Sequence, residues 1–362
     1  MRILKRFFRR LRHRLLSWRF YRRLHVPLLP KRFKLAARAL YGAFILIALL
    51  FTALTVYTVA TLSFPSAGSE DKVAPFPVSV DPEKKVIKED PALDAFLASS
   101  GRQRWYFPSL VPSGRFARFL AKITSSSWYQ LAIPGGRLLV VFSGERKEEV
   151  AKNFGDILGW TREERARFLS LVTTEDPSFS EGKFFPERYL VAVDASPEDV
   201  AKLVNERFQN EVVDRYEDGD ASKTLPLKDA LTIASLLERE AYDFTDMREI
   251  SGVIWNRLFI NMPLQLDATL QYARGSRPEE SSWWPVPVPS DKYIDSPFNT
   301  YKNKGLPPSA ISNPSLEAIV AALNPINTDC LFYFHDSRAN FYCSATYEEH
   351  VANLRSVYGR GR

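Results

Sequence analysis

The chain has 362 residues and a formal net charge of +7, and this length is sufficient for two or three folded units. The positive charge lies at one end: residues 1–38 contain fourteen Lys or Arg and no acid, which leaves about −7 for the rest. Because that remainder has no basic patch, the composition argues against nucleic-acid binding. Four histidines and two cysteines are too few for a typical metal cluster, so no metal or other cofactor is expected.

An uncharged run of 26 residues, Ala39 to Phe64, follows the basic end. Roughly 20 apolar residues cross a bilayer, so residues 39–64 predict a single transmembrane helix. The basic flank places the N-terminus in the cytoplasm and the rest of the chain outside the inner (cytoplasmic) membrane, in the periplasm. A cleaved signal peptide and a buried core helix are the alternatives, and the length of the run and the extended basic tail disfavour the signal peptide. The basic tail, residues 1–38, is either a helix on the anionic inner leaflet or a disordered topology signal.

The rest of the chain divides into three predicted parts. Prolines mixed with charged residues predict a polar linker over 65–94. Residues 95–173 predict a small α/β module, either a spacer or a sugar-binding unit, with a strand at 137–142 and helices at 147–158 and 162–171. Residues 174–362 predict one α+β domain. Its predicted helices are 197–208, 226–242, 248–259 and 314–323, and its predicted hairpin pairs 330–334 with 341–344.

Two cysteines, Cys330 and Cys343, lie in the predicted hairpin. Pairing position 332 with 341 would put 330 opposite 343, and an oxidising compartment would permit a disulfide between them. Cysteine is also often a small buried apolar residue, so the pattern leaves both possibilities open.

Several common catalytic patterns are missing from the sequence. There is no GxSxG elbow, no GxxxxGK[ST] phosphate loop and no GxGxxG turn. In the predicted extracytoplasmic parts the histidines are His335 and His350, and no nearby serine is marked out as a nucleophile. The chemistry that remains plausible is acid–base catalysis by a carboxyl group.

One glutamate stands out in the predicted helix 226–242. At 100° per residue one face of this helix carries Leu227, Leu231, Ala234, Glu238 and Ala241. A glutamate on such an apolar stripe is costly unless it is paired, at the surface or protonated, and a general acid must be protonated. Arg257 is the candidate partner if Glu238 is instead ion-paired. Glu240 lies about 200° from Glu238, so the two cannot form an acid pair on one face.

Seven short segments set this helix in a wider pattern. In chain order they are Glu181-Gly-Lys-Phe-Phe-Pro-Glu-Arg-Tyr189, Ala234-Ser-Leu-Leu-Glu-Arg-Glu240, Val253-Ile-Trp-Asn-Arg-Leu258, Leu264-Gln-Leu-Asp-Ala-Thr269, Ser296-Pro-Phe-Asn-Thr-Tyr301, Gly305-Leu-Pro-Pro308 and Thr346-Tyr-Glu-Glu-His350. The ordered set resembles the membrane-anchored endolytic murein transglycosylase (YceG-like) family over about half of the chain. The preceding module is more faintly similar to the LysM-like region of that family.

The resemblance implies a lytic transglycosylase that cleaves the bond between N-acetylmuramic acid (MurNAc) and N-acetylglucosamine (GlcNAc) within peptidoglycan strands. The product would end in 1,6-anhydro-MurNAc. The resemblance also implies that Glu238, in the Ala-Ser-x-x-Glu motif, is the general acid and then the base. A single carboxyl group suffices because the C6 hydroxyl of the sugar itself attacks, unlike in ordinary glycosidases. Trimming or termination of nascent strands, together with peptidoglycan synthases of the elongation or division machinery, would be the cellular setting.

Six polar residues are the predicted substrate contacts: Gln265, Asp267 and Thr269, which alternate along a stretch predicted to be extended, and Asn299, Thr300 and Tyr301. Structural alternatives are a cap for Asp267, a turn for Asn299 and a core aromatic for Tyr301. Trp283 and Trp284, in the insertion 274–295, either stack on sugar rings or fix that loop to the domain.

Four positions depart from the usual pattern of the family. Leu266 replaces Thr, Ala268 replaces Pro, Ser309 replaces Gly, and Phe341 lies near the usual His. These departures motivate a second hypothesis, a catalytically inactive peptidoglycan-binding scaffold protein of the envelope. A third hypothesis is a hydrolase with Asp267 as second carboxylate, which would leave reducing ends.

Overall fold

The computed structural model describes residues 75–99, 136–173, 179 and 181–359. The predicted tail, the predicted transmembrane helix, the first ten residues of the predicted linker and residues 100–135 lie outside the described residues. Within the described residues, no helix has both the length and the apolar character needed to cross a membrane.

The described residues mix helices and strands, which confirms the predicted α+β class. The first half contains β1 (Val80–Asp81), β2 (Val86–Ile87), α1 (Pro91–Ser99), β3 (Gly136–Val140), α2 (Lys147–Leu158), α3 (Arg162–Thr173), β4 (Arg188–Ala192), α4 (Pro197–Phe208), a π-helical turn (Gln209–Val213), α5 (Asp214–Glu217) and α6 (Ala221–Thr224). The second half contains α7 (Leu227–Glu240), α8 (Phe244–Phe259), α9 (Asp267–Gly275), a 3₁₀ turn (Pro289–Tyr293), α10 (Leu316–Leu323), β5 (Phe332–His335), β6 (Phe341–Ser344) and α11 (Tyr347–Tyr358).

A small hydrophobic core forms beneath the antiparallel pair β3–β4. The register runs from Gly136 opposite Ala192 to Val140 opposite Arg188, and helices α2, α3 and α4 complete the unit. Gly159 ends α2 with a left-handed φ of 74°, a conformation that glycine adopts without steric cost. The buried side chains of this core include Leu139, Phe154, Phe168, Tyr189 and Val200. Residues on both sides of the predicted boundary at 173/174 therefore contribute to one core.

Helix α7 is the centre of the larger hydrophobic core. Every residue from Ala230 to Leu237 is buried, and the helix packs against α8 and α10. Burial of one Leu or Ile side chain stabilises the fold by roughly 1.5–3 kcal/mol, so this helix is expected to be rigidly held. Its last turn, from Glu238 to Glu240, is only half-buried, and there the polar side chains leave the core.

The second half of the predicted linker is folded rather than extended. Phe76 and Val80 are buried in the larger core, and the N–H of Ser79 donates to the carbonyl of Leu323 at 3.0 Å. The guanidinium of Arg215 lies 4.6 Å from the centre of the Phe76 ring. The linker prediction is therefore wrong for these residues, because two apolar anchors dominate over the surrounding prolines and charges.

The hairpin β5–β6 exists, and its register differs from the predicted one by three residues. Phe332 lies opposite Ser344, Tyr333 opposite Cys343 and His335 opposite Phe341. Cys330 precedes β5, yet it forms a disulfide with Cys343, with their Cα atoms 5.7 Å apart. Of the two possibilities that the sequence leaves open, the structure has the disulfide. The bridge ties the strand that carries Tyr333 to its neighbour.

Replacing both cysteines by serine should lower the free energy of unfolding by about 3 kcal/mol, because the closed loop restricts the unfolded chain. Thermal or urea unfolding of the oxidised wild type and of the double variant, both without reductant, measures this difference. Addition of a reductant should destabilise the wild type and leave the double variant unchanged. Equal stability of the two proteins would contradict a contribution from the bridge.

Glu181 connects the two cores although it is only 1% exposed. Its Oε1 accepts a hydrogen bond from the N–H of Lys147 (2.7 Å) at the start of α2, and its Oε2 accepts from the hydroxyl of Tyr272 (3.4 Å) in α9. Burial raises the pKa of Glu181 to about 8, and the nearby negative charge of Glu148 adds to the rise.

Glu181→Gln should flatten the dependence of stability on pH. Since the folded state keeps this proton up to a pKa of about 8 and the unfolded state releases it near 4.5, wild-type stability falls as pH rises between these values. The loss is at most about 1.4 kcal/mol per pH unit. Urea unfolding between these pH values measures it. The exposed Glu163→Gln is the control and should keep the wild-type dependence. A constant difference between wild type and Glu181→Gln would refute the expectation.

Candidate active site

An open cleft of about 390 Å³ lies where the end of α7 meets the start of α9 and the hairpin β5–β6. Its lining residues are Glu240, Arg257, Leu264, Gln265, Leu266, Asp267, Tyr301, Tyr333, Phe334 and His335. The lining combines carboxyl, guanidinium, phenol and imidazole groups with apolar side chains, a composition suited to a polar ligand with apolar faces.

Glu240, the last residue of α7, is the half-buried carboxyl group of this cleft. Its Oε2 accepts a hydrogen bond from the hydroxyl of Tyr333 at 3.1 Å, and its Oε1 accepts a longer one from the N–H of Ala268 at 3.4 Å. Burial raises the pKa of Glu240, and the negative charge of Asp267 acts in the same direction, whereas the two hydrogen bonds and His335 oppose it. A raised pKa lets a cleft carboxyl group hold its proton to higher pH than an ordinary glutamate does, which is the direction that general acid catalysis requires.

Glu238 points to a different neighbour. Its Oε2 accepts hydrogen bonds from both the N–H (3.0 Å) and the Oγ (2.7 Å) of Ser315, the N-cap of α10. Glu238 continues the apolar stripe as predicted, and it is not among the residues that line the cleft described above. Arg257 donates to the carbonyls of Leu331 and Leu264, both at 2.6 Å, so the alternative ion pair with Glu238 is not formed. A carboxylate beside the start of a helix is a favourable electrostatic arrangement.

Three of the six predicted substrate contacts line the cleft. Asp267 and Gln265 are exposed, and the half-buried Tyr301 donates its hydroxyl hydrogen to Oδ1 of Asp267 at 2.7 Å. Burial raises the pKa of the Tyr301 phenol, and the hydrogen bond that it donates to Asp267 raises this pKa further. The phenol therefore keeps its proton and remains a donor. The three side chains can therefore offer hydroxyl, carboxylate and amide groups to a bound ligand.

The other three, Thr269, Asn299 and Thr300, are buried and bonded internally. The Oγ1 of Thr300 accepts from the N–H of Leu266 (3.0 Å) and pairs with the Oγ1 of Thr269 at 2.9 Å. The Oδ1 of Asn299 accepts from the N–H of Tyr301 at 3.0 Å. These contacts hold the wall of the cleft in shape and leave no surface for a ligand.

The stretch from 265 to 269 was predicted to be extended, and this prediction is wrong after Leu266. Asp267 begins helix α9, while Gln265 has a positive φ of 51°. Alternation over five residues is a weak signal, and an acidic residue in the first turn favours a helix start. The helix orients the N–H of Ala268 toward Glu240.

Trp283 and Trp284 fix the insertion to the domain. The Nε1 of Trp284 donates to Oε2 of Glu149 at 3.0 Å, and the guanidinium of Arg239 lies 3.7 Å from the centre of the Trp284 ring. The guanidinium of Arg146 lies 5.2 Å from the Trp283 ring. The contacts match the structural alternative for this pair.

Two of the four departures from the family pattern change the polar groups near Glu240. Proline at position 268 would have no N–H, so Ala268 adds the donor to Glu240. Phe341 of β6 lies directly opposite His335 of β5, and the centres of their two rings are 5.6 Å apart. An imidazole group is therefore present on the neighbouring strand. Leu266 and Ser309 are buried, and Leu266 is one of the residues that line the cleft.

His335 forms the second polar pair of the cleft. Its Nε2 lies 2.9 Å from Oδ1 of Asp246, a residue near the start of α8.

Within the part of the chain that the structure describes, no group of three or more His, Cys, Asp or Glu side chains could hold a metal ion.

The sequence reasoning did not select Glu240, Tyr333 or His335 as site residues. The signal for Glu240 was present: it lies in the Ala-Ser-x-x-Glu-Arg-Glu segment, on the side of α7 opposite the core stripe. Because Glu240 is the last residue of the helix, its side chain is not enclosed by a further helical turn. Tyr333 and His335 had no comparable signal, because their role depends on the register of the hairpin.

Comparison of this sequence with known proteins identifies its family. The sequence matches the YceG-like family over residues 84–356, and the chain belongs to that family. It is 28% identical over 311 residues to the endolytic murein transglycosylase of Bacillus subtilis (strain 168), a match that covers 81% of this chain and 83% of that protein. It is 34% identical over 177 residues to the endolytic murein transglycosylase of Streptococcus pneumoniae (strain D39), covering 48% of this chain and 31% of that protein.

A solved structure shares the fold. The crystal structure of a yceG-like protein from Listeria monocytogenes superposes with a TM-score of 0.51, covering 77% of this chain and 98% of that one. The two sequences are 21% identical, so this likeness concerns the fold alone.

Thr300→Val tests whether this buried residue supports the wall. The change should lower the free energy of unfolding by about 1–3 kcal/mol, because the N–H of Leu266 loses its acceptor. Thermal unfolding checks this, with Thr173→Val in α3 as a control of the same chemistry. An unchanged stability combined with weaker ligand binding would instead indicate that Thr300 contacts the ligand.

Proposed function

We propose that this chain is an endolytic peptidoglycan lytic transglycosylase that cleaves the MurNAc–GlcNAc bond within glycan strands and leaves 1,6-anhydro-MurNAc ends. Membership of the YceG-like family and the names of the relatives support the reaction class. The observation that carries the assignment to this chain is Glu240, a carboxyl group of raised pKa that lines an open cleft.

The proposed chemistry needs one carboxyl group in two protonation states. Protonated Glu240 gives its proton to the bridging oxygen, which takes the electron pair of the breaking C1–O bond as positive charge develops on the sugar. The resulting carboxylate then accepts the proton of the C6 hydroxyl of the same sugar, and the C6 oxygen forms the new bond to C1. Glu240 is protonated again at the end, and no water is consumed.

The other cleft residues support this chemistry. The exposed carboxylate of Asp267 lies in the same cleft, and its negative charge would favour both the protonated state of Glu240 and the positive charge on the sugar. Gln265 and Tyr301 offer hydrogen bonds for hydroxyl and N-acetyl groups. The proposed substrate contacts are therefore Gln265, Asp267 and Tyr301.

The sequence assigned the acid to Glu238, and that assignment stays a prediction. The contacts favour Glu240, because the carboxylate of Glu238 is engaged by both donors of Ser315 at the start of α10. On this basis Glu238 stabilises the packing of α7 on α10, while Glu240 carries the proton.

The proposal includes the predicted placement in the envelope. Residues 39–64 would form a single span with the basic tail inside, which leaves the cleft in the periplasm, where strands are trimmed or terminated beside peptidoglycan synthases. The disulfide between Cys330 and Cys343 supports an oxidising compartment. A LysM-like role for the module at 95–173 belongs to the same proposal. Protease accessibility of the C-terminal domain in spheroplasts tests the topology.

Digestion of uncrosslinked glycan strands by wild type, Glu240→Gln and Glu238→Gln tests the reaction and the acid together. Mass spectrometry of the products distinguishes anhydro ends from reducing ends. Glu240→Gln should lose about 10²–10⁴-fold in rate, the usual contribution of a general acid–base group. Glu238→Gln should remain active and lose stability, because glutamine is a weaker acceptor for Ser315.

Other outcomes would select the alternatives. Loss of activity in a folded Glu238→Gln, with Glu240→Gln active, would restore the sequence assignment. Reducing ends would indicate a hydrolase that uses Asp267 as its second carboxylate. Sacculus binding by wild type without any change in strand length would indicate an inactive scaffold and refute the proposed function.

A further inference from the structure

Tyr333 is the residue of strand β5 that reaches the carboxyl group of Glu240. Its hydroxyl donates to Oε2 at 3.1 Å, and its ring stacks on Phe341, with 5.9 Å between ring centres. The contact joins residues 93 positions apart in the sequence. Neither Tyr333 nor this hydrogen bond is required by the proposed reaction itself, so the contact calls for a separate explanation.

The two oxygens of Glu240 are held unequally. Oε2 has the shorter hydrogen bond, from a hydroxyl group that can only donate to a charged carboxylate. Oε1 has the longer one, 3.4 Å from the N–H of Ala268, a distance at which a hydrogen bond is weak. Oε1 is therefore the oxygen more readily available to a ligand in the cleft.

We propose that Tyr333 is a positioning residue of the proposed transglycosylase: its hydroxyl holds Oε2 of Glu240 so that Oε1 faces the sugar and carries the transferred proton. The proposal rests on the proposed function. When Oε1 gives its proton to the bridging oxygen, the negative charge that forms on the carboxylate is shared with Oε2, where the hydroxyl of Tyr333 stabilises it. A hydrogen bond that strengthens as charge develops accelerates the step.

The strand that presents Tyr333 is fixed on both sides. Cys343, in the disulfide with Cys330, lies directly opposite Tyr333. One residue before β5, the carbonyl of Leu331 accepts from Arg257 at 2.6 Å. Two residues after Tyr333, His335 bonds to Asp246. A positioning group needs such support, because small displacements of a catalytic carboxyl group are costly.

Five titratable or charged groups face Glu240 from the elements around it. They are Asp267 of α9, Arg257 of α8, Tyr301 of the loop before α10, and Tyr333 and His335 of β5. Asp267 raises the pKa of Glu240, whereas His335 and the hydroxyl of Tyr333 lower it. Tyr333→Phe removes one hydroxyl and leaves the other four groups in place, so its effect on Glu240 can be isolated.

The test compares Tyr333→Phe with wild type on glycan strands, using the rate of formation of anhydro ends. The control is Tyr342→Phe on the facing strand, whose hydroxyl contacts Asp336 instead of Glu240. Tyr333→Phe should reduce kcat by about 10- to 100-fold, the effect of one hydrogen bond to a charged group, with KM nearly unchanged. Because the carboxylate loses a donor, the pKa of Glu240 should rise, and the alkaline limb of the kcat/KM profile should move to higher pH. Tyr342→Phe should match the wild type.

A second measurement does not depend on activity. Titration of the Glu240 side-chain carbon by ¹³C NMR, assigned with Glu240→Gln, should give a higher pKa in Tyr333→Phe than in wild type. If wild type forms anhydro ends and Glu240→Gln does not, an unchanged kcat and alkaline limb in Tyr333→Phe overturns the role of Tyr333 and leaves the proposed function standing. If wild type forms no anhydro ends, both proposals fail as statements about catalysis. An unchanged Glu240 titration in Tyr333→Phe overturns the contact itself.

Discussion

Burial of α7 on nearly all sides is the constraint on which the cleft depends. The helix is enclosed from Ala230 to Leu237, so its direction and rotation are set by packing against α8 and α10. Once the rotation is fixed, side chains two positions apart at its end must point to opposite sides. Glu238 then meets the start of α10, and Glu240 meets the cleft. The geometry of one helix thereby places two glutamates in different surroundings.

Glu181 and Glu240 show why a raised pKa does not by itself mark a catalytic group. Burial raises the pKa of both carboxyl groups. Glu181 is enclosed between α2 and Tyr272, connects two cores and does not line the described cleft. Glu240 lines an open cleft together with Asp267. Proton affinity and access must coincide before a carboxyl group can act as an acid.

The hairpin β5–β6 brings distant residues to the same carboxyl group. Its disulfide and the contacts of Arg257 and His335 hold it against α8, and it supplies one wall of the cleft. Two departures from the family pattern act here together: Ala268 adds a backbone donor to Glu240, and His335 lies opposite Phe341. Ala268 contacts the carboxyl group of Glu240 directly, and His335 acts on it electrostatically, so both departures lie near the end of α7.

The sequence by itself determined the elements whose signals are local. Apolar periodicity predicted α2 and α4 with their observed bounds and α7 to within two residues, and the ordered segments indicated the family. Tertiary structure decided what depends on distant partners. Ser315, 77 positions after Glu238, engages that carboxylate, and Tyr333, 93 positions after Glu240, completes the cleft. Contacts with distant residues likewise decide that Phe76, in the predicted linker, lies in the larger core and that Thr300 is buried. Periodicity tells which side of a helix is apolar, but only the folded chain determines what covers each side.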